Sequence, residues 1–285
     1  MTNAEKIDAL IDGISDLPSS PYPLPELFKA LREADVDLDP VVDMISFDPA
    51  LTAKLLKTCN SAYFGRSDPI NDVREAVNRL GFQTVYKVVA AVRGNQILGP
   101  MKKTHGIDAG ALWKHSVTSA FAGQFVAEDF GADAGLFFTA GLLHDMGKVI
   151  LDQTFKQDYG EVVASAAETG KRLVDLETAR FGMNHAEVGA RLLHRWKFSS
   201  EMVACLQFHH DPVAAGNFER SAAFLSLASA LAHYIELGNN LPATATADLE
   251  ITLKALGLTD EVLTRHSDRL KENLAFVETM FRLGG

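Results

Sequence analysis

The apolar residues of this chain recur three and four positions apart, and that period constrains the fold more than any other feature of the sequence. Val85, Val88, Val89 and Val92 stand at i, i+3, i+4 and i+7, one face of a helix, although β-branched residues favour strands by propensity. Val73, Val77 and Leu80 do the same just upstream, and Gly81 is a natural stop. Asp48 and Pro49 read as N-cap and first residue of a helix carrying Leu51, Leu55, Leu56 and Cys59. Asn184, with Glu187 three residues on, resembles a capping box that opens a helix through Val188, Leu192 and Trp196. No convincing two-residue alternation and no Asn-Gly or Asp-Gly hairpin signal interrupts this pattern. The expected fold class is all-α.

Punctuation divides the helices. Pro18, Pro21, Pro23 and Pro25 set off a short first helix, and Gly99 to Gly110, with Pro100, is the best boundary between two helical halves. A second loose stretch runs from Gly238 to Ala247. The expected divisions are residues 1–105, 106–237 and a C-terminal helical tail, 238–285. The formal net charge of −10 disfavours nucleic-acid phosphates as a general partner. A helix pair around Gly81 carries Arg74, Arg79, Lys87 and Arg93, but its valine stripe reads as core. Cys59 and Cys205 form no CxxC pair and no disulfide framework, which points to a reducing compartment. The acidic start has no signal-peptide pattern, and no apolar run approaches the ~18 residues of a membrane helix, so the expected location is cytoplasmic with no membrane partner.

The chemistry-bearing residues lie between His115 and His210. His115, His144-Asp145, His185 and His209-His210 are separated by gaps long enough to put them on different helices. Taken singly, each is an ordinary packed histidine, and His209 shares a stripe with Met202 and Leu206. His194 and His233 read as surface or core residues. Imidazole and carboxylate together suit first-row transition metals such as Fe, Mn, Ni or Zn. An Asp beside a His can bridge two ions that hold a hydroxide and clamp a phosphate. Lys148, three residues after Asp145, can meet a phosphate as a point charge.

The string Gly141-Leu142-Leu143-His144-Asp145-Met146-Gly147-Lys148 resembles the core motif of the HD phosphohydrolase superfamily. Trp113 to Ser116, His185 to Gly189 and Phe208 to Pro212 resemble the further histidine motifs of the binuclear HD-GYP type. The N-terminal half is similar to the HDOD signature: Asp48 to Thr52, Leu55-Leu56, Asn60 to Gly65, and Ile70 to Gly81. Asn60, Ser61, Tyr63 and Gly65 themselves read as a helix end and turn. The resemblance covers roughly residues 5 to 240. It implies a multi-helical HD-like bundle with an additional N-terminal helical subdomain. It also implies a divalent transition metal, one ion or a binuclear pair, on His115, His144, Asp145, His185, His209 and His210. His115 and His144 are expected on one side of Asp145, and His185, His209 and His210 on the other.

The chain departs from the hydrolase pattern in two places. Ser229 stands where a late Asp is expected, and the Gly-Tyr-Pro loop is absent after Pro212. The resemblance therefore implies a bacterial signal-transduction module with a partly retained metal site and other signalling proteins as partners. The alternative it leaves open is a metal-dependent phosphohydrolase or phosphodiesterase acting on a phosphate-containing ligand, with Asp145 and Lys148 as its catalytic residues.

Overall fold

The computed structural model describes residues 1–13, 38–60, 68–81, 105–238, 241 and 243–271. Within them every regular element is helical: α1 (Asn3–Gly13), α2 (Leu38–Ser46), α3 (Pro49–Cys59), α4 (Val73–Leu80), α5 (Ala109–Asp129), α6 (Ala134–Leu143), α7 (Met146–Phe155), α8 (Gln157–Thr169), α9 (Leu173–Phe181), α10 (His185–Arg195), α11 (Ser200–Phe208), α12 (Glu219–Glu236) and α13 (Ala243–Leu256). A 3₁₀ segment, Pro212–Phe218, precedes α12, and a last helix, α14, spans 261–271. The fold is all-α, as the periodicity requires.

Local chemistry sets these boundaries. Asp48 accepts the Leu51 backbone N–H at 3.0 Å, so it caps α3. Gly81, at φ 76°, ends α4 in a conformation most side chains resist. The capping box at Asn184 is complete: its side chain accepts from Glu187 N, and the Glu187 carboxylate accepts from Asn184 N. Asn60 ties the end of α3 to Ile70 through two side-chain hydrogen bonds, 2.8 and 2.9 Å, the structural role read for it. The valine stripe 85–92, the prolines from 18 to 25 and residues 61–65 lie outside the described residues, as does much of the 99–110 break.

Helices α5, α6 and α12 form the centre of the bundle, and one apolar cluster runs from Ile7 to Leu270. Helices α5 and α6 meet backbone to backbone, because a side chain at Gly141 would lie 2.4 Å from the Ser119 carbonyl oxygen. Leu142 and Leu143 beside it are fully buried. Burial of each contributes roughly 1.5–3 kcal/mol relative to exposure. This close packing pins the end of α6, and His144 follows directly.

Three expectations need correction. The stretch Ala134–Phe155 is long and apolar enough to cross a membrane by length and composition, contrary to the reading of the sequence. Its apolar window is 72% buried inside the protein, and the helix breaks at His144 and Asp145. It is a buried core segment in which α7 follows α6 across a two-residue break. The loose stretch 238–247 is shorter than expected, since α13 starts at Ala243. By sequence alone, Gly147 reads as the residue that relaxes the backbone beyond Asp145. It is instead an ordinary helical residue of α7, and its role is close approach to another helix, described below.

Candidate metal centre

His144, His185 and His209 sit at helix ends, where a side chain can turn inward on a rigid support. His144 caps the C-terminus of α6, and Asp145 occupies the turn between α6 and α7. His185 opens α10 behind its capping box, and His209 closes α11. His115 lies within α5, facing α12. His115, His144, Asp145, His185 and His209 are buried, and His210 is partly exposed.

The structure brings all six predicted residues together around Asp145. Its Oδ2 lies 3.5 Å from His144 Nε2, 3.9 Å from His115 Nε2 and 2.6 Å from Lys148 Nζ. Its Oδ1 lies 3.3 Å from His185 Nε2. Ligand atoms fall into two sets, each within 4.8 Å of one another: His115, His144 and Asp145, and then His185, His209 and His210. His144 and His209 join the sets, with ring centroids 5.2 Å apart. Each Asp145 oxygen therefore faces one set, the arrangement a bridging carboxylate needs.

The outer nitrogens explain why the inner ones are free. His144 Nδ1 donates to the Gly141 carbonyl and His209 Nδ1 to the Leu206 carbonyl, each at 2.7 Å. A carbonyl only accepts, so both rings carry hydrogen on Nδ1 and a lone pair on Nε2. Those two Nε2 atoms are buried without a hydrogen-bond partner among the described residues. His185 Nδ1 lies 2.7 Å from the Glu177 carboxylate, His115 Nδ1 3.0 Å from Glu236, and His210 Nδ1 3.5 Å from Asp248. Outer acceptors orienting inward lone pairs are what metal-binding histidines require. His185 Nε2 and His210 Nε2 stand only 3.1 Å apart. Two lone pairs repel at that distance, so either one ring holds a proton there or a cation lies between them. Orphaned buried acceptors carry a free-energy cost that a cation removes. The donor set fits a divalent first-row metal.

Electrostatics agree. Burial pushes His115 down to about 4 and His144 to about 3, and it lowers His209 well below the usual histidine range. Burial alone would raise Asp145. His144, Lys148, His185 and His115 together hold it well below the usual carboxylate range. Asp145 is therefore an ionised carboxylate beside the neutral imidazoles of His115, His144 and His209, the protonation state that binds metal.

A stability prediction follows for the metal-free protein. An unfolded histidine titrates near 6.5. Between that pH and about 4 the unfolded chain binds protons that folded His115, His144 and His209 do not, so stability falls as pH falls. Glu236, raised to about 7 by burial, acts the other way, but His210 and His233 are lowered as well and add to the three. Each net proton is worth about 1.4 kcal/mol per pH unit. The urea midpoint should drop steadily from pH 7 to pH 5. A flat profile would contradict the buried neutral cluster.

Four residues at the centre escaped the sequence reading. Glu177 is fully buried and also accepts from Tyr159 Oη at 2.8 Å and His185 N at 2.9 Å. A signal was present: Val174, Glu177 and Phe181 share one buried helical stripe, an unexpected place for an acid. His233 stacks on His115 with ring centroids 4.2 Å apart, and Glu236 follows three residues later. Asp248 lies in the second turn of α13, just past the stretch read as loose. Ser229 stands beside the cluster, its Oγ 3.4 Å from His115 Nε2. Arg74 and Arg79, the basic residues of the nucleic-acid alternative, are paired with Asp39 and Glu75. Lys87 and Arg93 lie outside the described residues.

Comparison with known proteins agrees with this architecture. An uncharacterised protein of Treponema pallidum (strain Nichols) is 30% identical over 213 residues, 74% of this chain. The match spans only 41% of that relative's length. The MmoQ response regulator of Methylococcus capsulatus str. Bath has a solved fragment that is 26% identical, with a TM-score of 0.69, covering 87% of this chain and 94% of that one. An HDOD domain protein of unknown function from Geobacter sulfurreducens shares the fold at 23% identity and a TM-score of 0.54, covering 98% of each chain. The HDOD domain pattern itself matches residues 17–212, most of the sequence and all of the histidine cluster, and the chain belongs to the HDOD domain family.

Proposed function

We propose that the chain is a regulatory module of bacterial signal transduction whose HD-type centre holds a divalent transition metal, with other signalling proteins as its partners. The observation that carries the metal is the orientation of the histidines: outer nitrogens tied to acceptors, inner nitrogens turned toward Asp145. The regulatory part rests on family membership and on the likeness to a response regulator.

His115, His144 and Asp145 would hold one ion, and His185, His209, His210 and Asp145 a second. When bound, such an ion supplies positive charge that polarises an oxygen ligand. The chain's own residues shape what else happens. Lys148 is engaged with Asp145 at 2.6 Å, so its charge first balances that carboxylate. Ser229 offers a neutral hydroxyl where a hydrolase would place a carboxylate. Both features favour holding over turnover.

One observation favours a phosphohydrolase reading. A cleft of about 320 Å³ opens onto His185, His209 and His210 and is lined by Lys148, Lys171 and Arg172, cations suited to a phosphate. Arg172 is partly committed, 3.0 Å from Asp248. The test is to load the protein with manganese, iron or nickel and assay bis-p-nitrophenyl phosphate and cyclic dinucleotides. The regulatory reading expects retained metal without turnover above a metal blank. Turnover abolished by chelator would overturn it in favour of the hydrolase.

A further inference from the structure

His115 faces two sets of ligands, one through each ring nitrogen. Its Nε2 looks toward Asp145 and His144. Its Nδ1 looks the other way, 3.0 Å from Glu236 Oε2. The same Glu236 oxygen lies 3.8 Å from His233 Nδ1. One nitrogen each from His115 and His233 and one oxygen from Glu236 fall within 4.8 Å of one another. We propose that His115, His233 and Glu236 form an auxiliary site for a first-row divalent transition metal at the mouth of the cleft, separate from the central cluster and sharing only His115 with it.

The fold builds this site from one face of α12. Ser229, His233 and Glu236 stand at i, i+4 and i+7, so the helix presents all three toward His115 on α5. Glu236 Oε1 is buried and has no hydrogen-bond partner among the described residues. It is a carboxylate oxygen turned inward with nothing to accept from. Two imidazoles and a carboxylate suit a transition metal and leave coordination positions for water. Access exists on this side: the His233 side chain is 42% exposed and lines the cleft. The site can therefore exchange metal with solvent. Binding at His115 Nδ1 forms a metal–nitrogen bond in place of the Nδ1 proton, which leaves to solvent. Since the two sites draw on one ring, the auxiliary site fills after the central one.

Cobalt(II) is the probe. The full chain is titrated while its visible absorption is followed, and bound cobalt is counted by elemental analysis after equilibrium dialysis. The wild type should show a weaker final equivalent after the central ones. His233→Gln should lose that one equivalent and keep the rest, whereas Glu236→Gln should lose it and also weaken the central equivalent held by His115, whose ring Glu236 orients. Asp145→Ala should lose central equivalents and keep the final one, which separates a failure here from a failure of the central reading. Unchanged thermal unfolding of metal-free His233→Gln shows that the fold is intact, and His233→Asn serves in its place otherwise. Wild-type stoichiometry in both α12 variants would overturn the proposal, as would loss of every equivalent in Asp145→Ala.

Discussion

Replacing Asp145 with alanine should lower metal affinity by at least about 100-fold, the upper end of what losing even an orienting partner of a ligand costs. The carboxylate is the one group both ligand sets share. One oxygen faces His144 and His115 and the other faces His185. Removing it leaves neutral imidazoles on two sides and no anion between them to offset ionic charge. It also leaves Lys148, whose side chain is only 20% exposed, without its 2.6 Å partner. Breaking a buried pair costs about 3–5 kcal/mol, and access of Lys148 to the cleft should reduce that figure. Metal content after dialysis and the urea midpoint of the metal-free protein measure the two effects separately. Asp145→Asn keeps the shape and loses the charge. It should therefore lose metal nearly as completely while costing less stability. Wild-type metal content in both variants would remove Asp145 from the centre.

The second large effect should come from a methyl group. Gly147→Ala places a Cβ 1.9 Å from the His185 carbonyl oxygen, 2.7 Å from its carbon and 2.8 Å from Gly189 N. All three are backbone atoms of α10, so no side chain can turn aside. Helices α7 and α10 must separate, and α10 carries His185 at its first turn. Overpacking costs about 1–3 kcal/mol, and rigid backbone neighbours place this case at the upper end. Metal affinity should fall with stability, because the displaced element holds a ligand. Gly13→Ala is the control: its new methyl meets nothing within 4 Å, and the change should stay under about 1 kcal/mol. Loss of stability with metal affinity intact would show that α10 moves without His185.

Much of this was legible from residue spacing. Valine and leucine periods marked α4, and side-chain acceptors marked the starts of α3 and α10, because caps are local chemistry. The six clustered residues were legible because motif strings preserve local order around each ligand. The orienting acceptors were not. Gly141 and Leu206 act through their carbonyls, which any residue type carries, and Glu177 reaches His185 from α9 across a turn. Glu236 lies 121 positions from His115, so only the packing of α12 on α5 makes them partners. The role of Gly147 was misread for the same reason. A glycine needed for close approach between helices looks, in sequence, like one needed for backbone freedom.

X-ray absorption at the zinc edge of the zinc-loaded protein tests the central claim most directly. The orientation of the histidines predicts a first shell of nitrogen and oxygen at about 2.0–2.2 Å with no sulfur. It also predicts the outer-shell scattering of several imidazoles, diminished in His185→Ala. Failure to retain zinc, or a shell of oxygen atoms without an imidazole signature, would contradict the account.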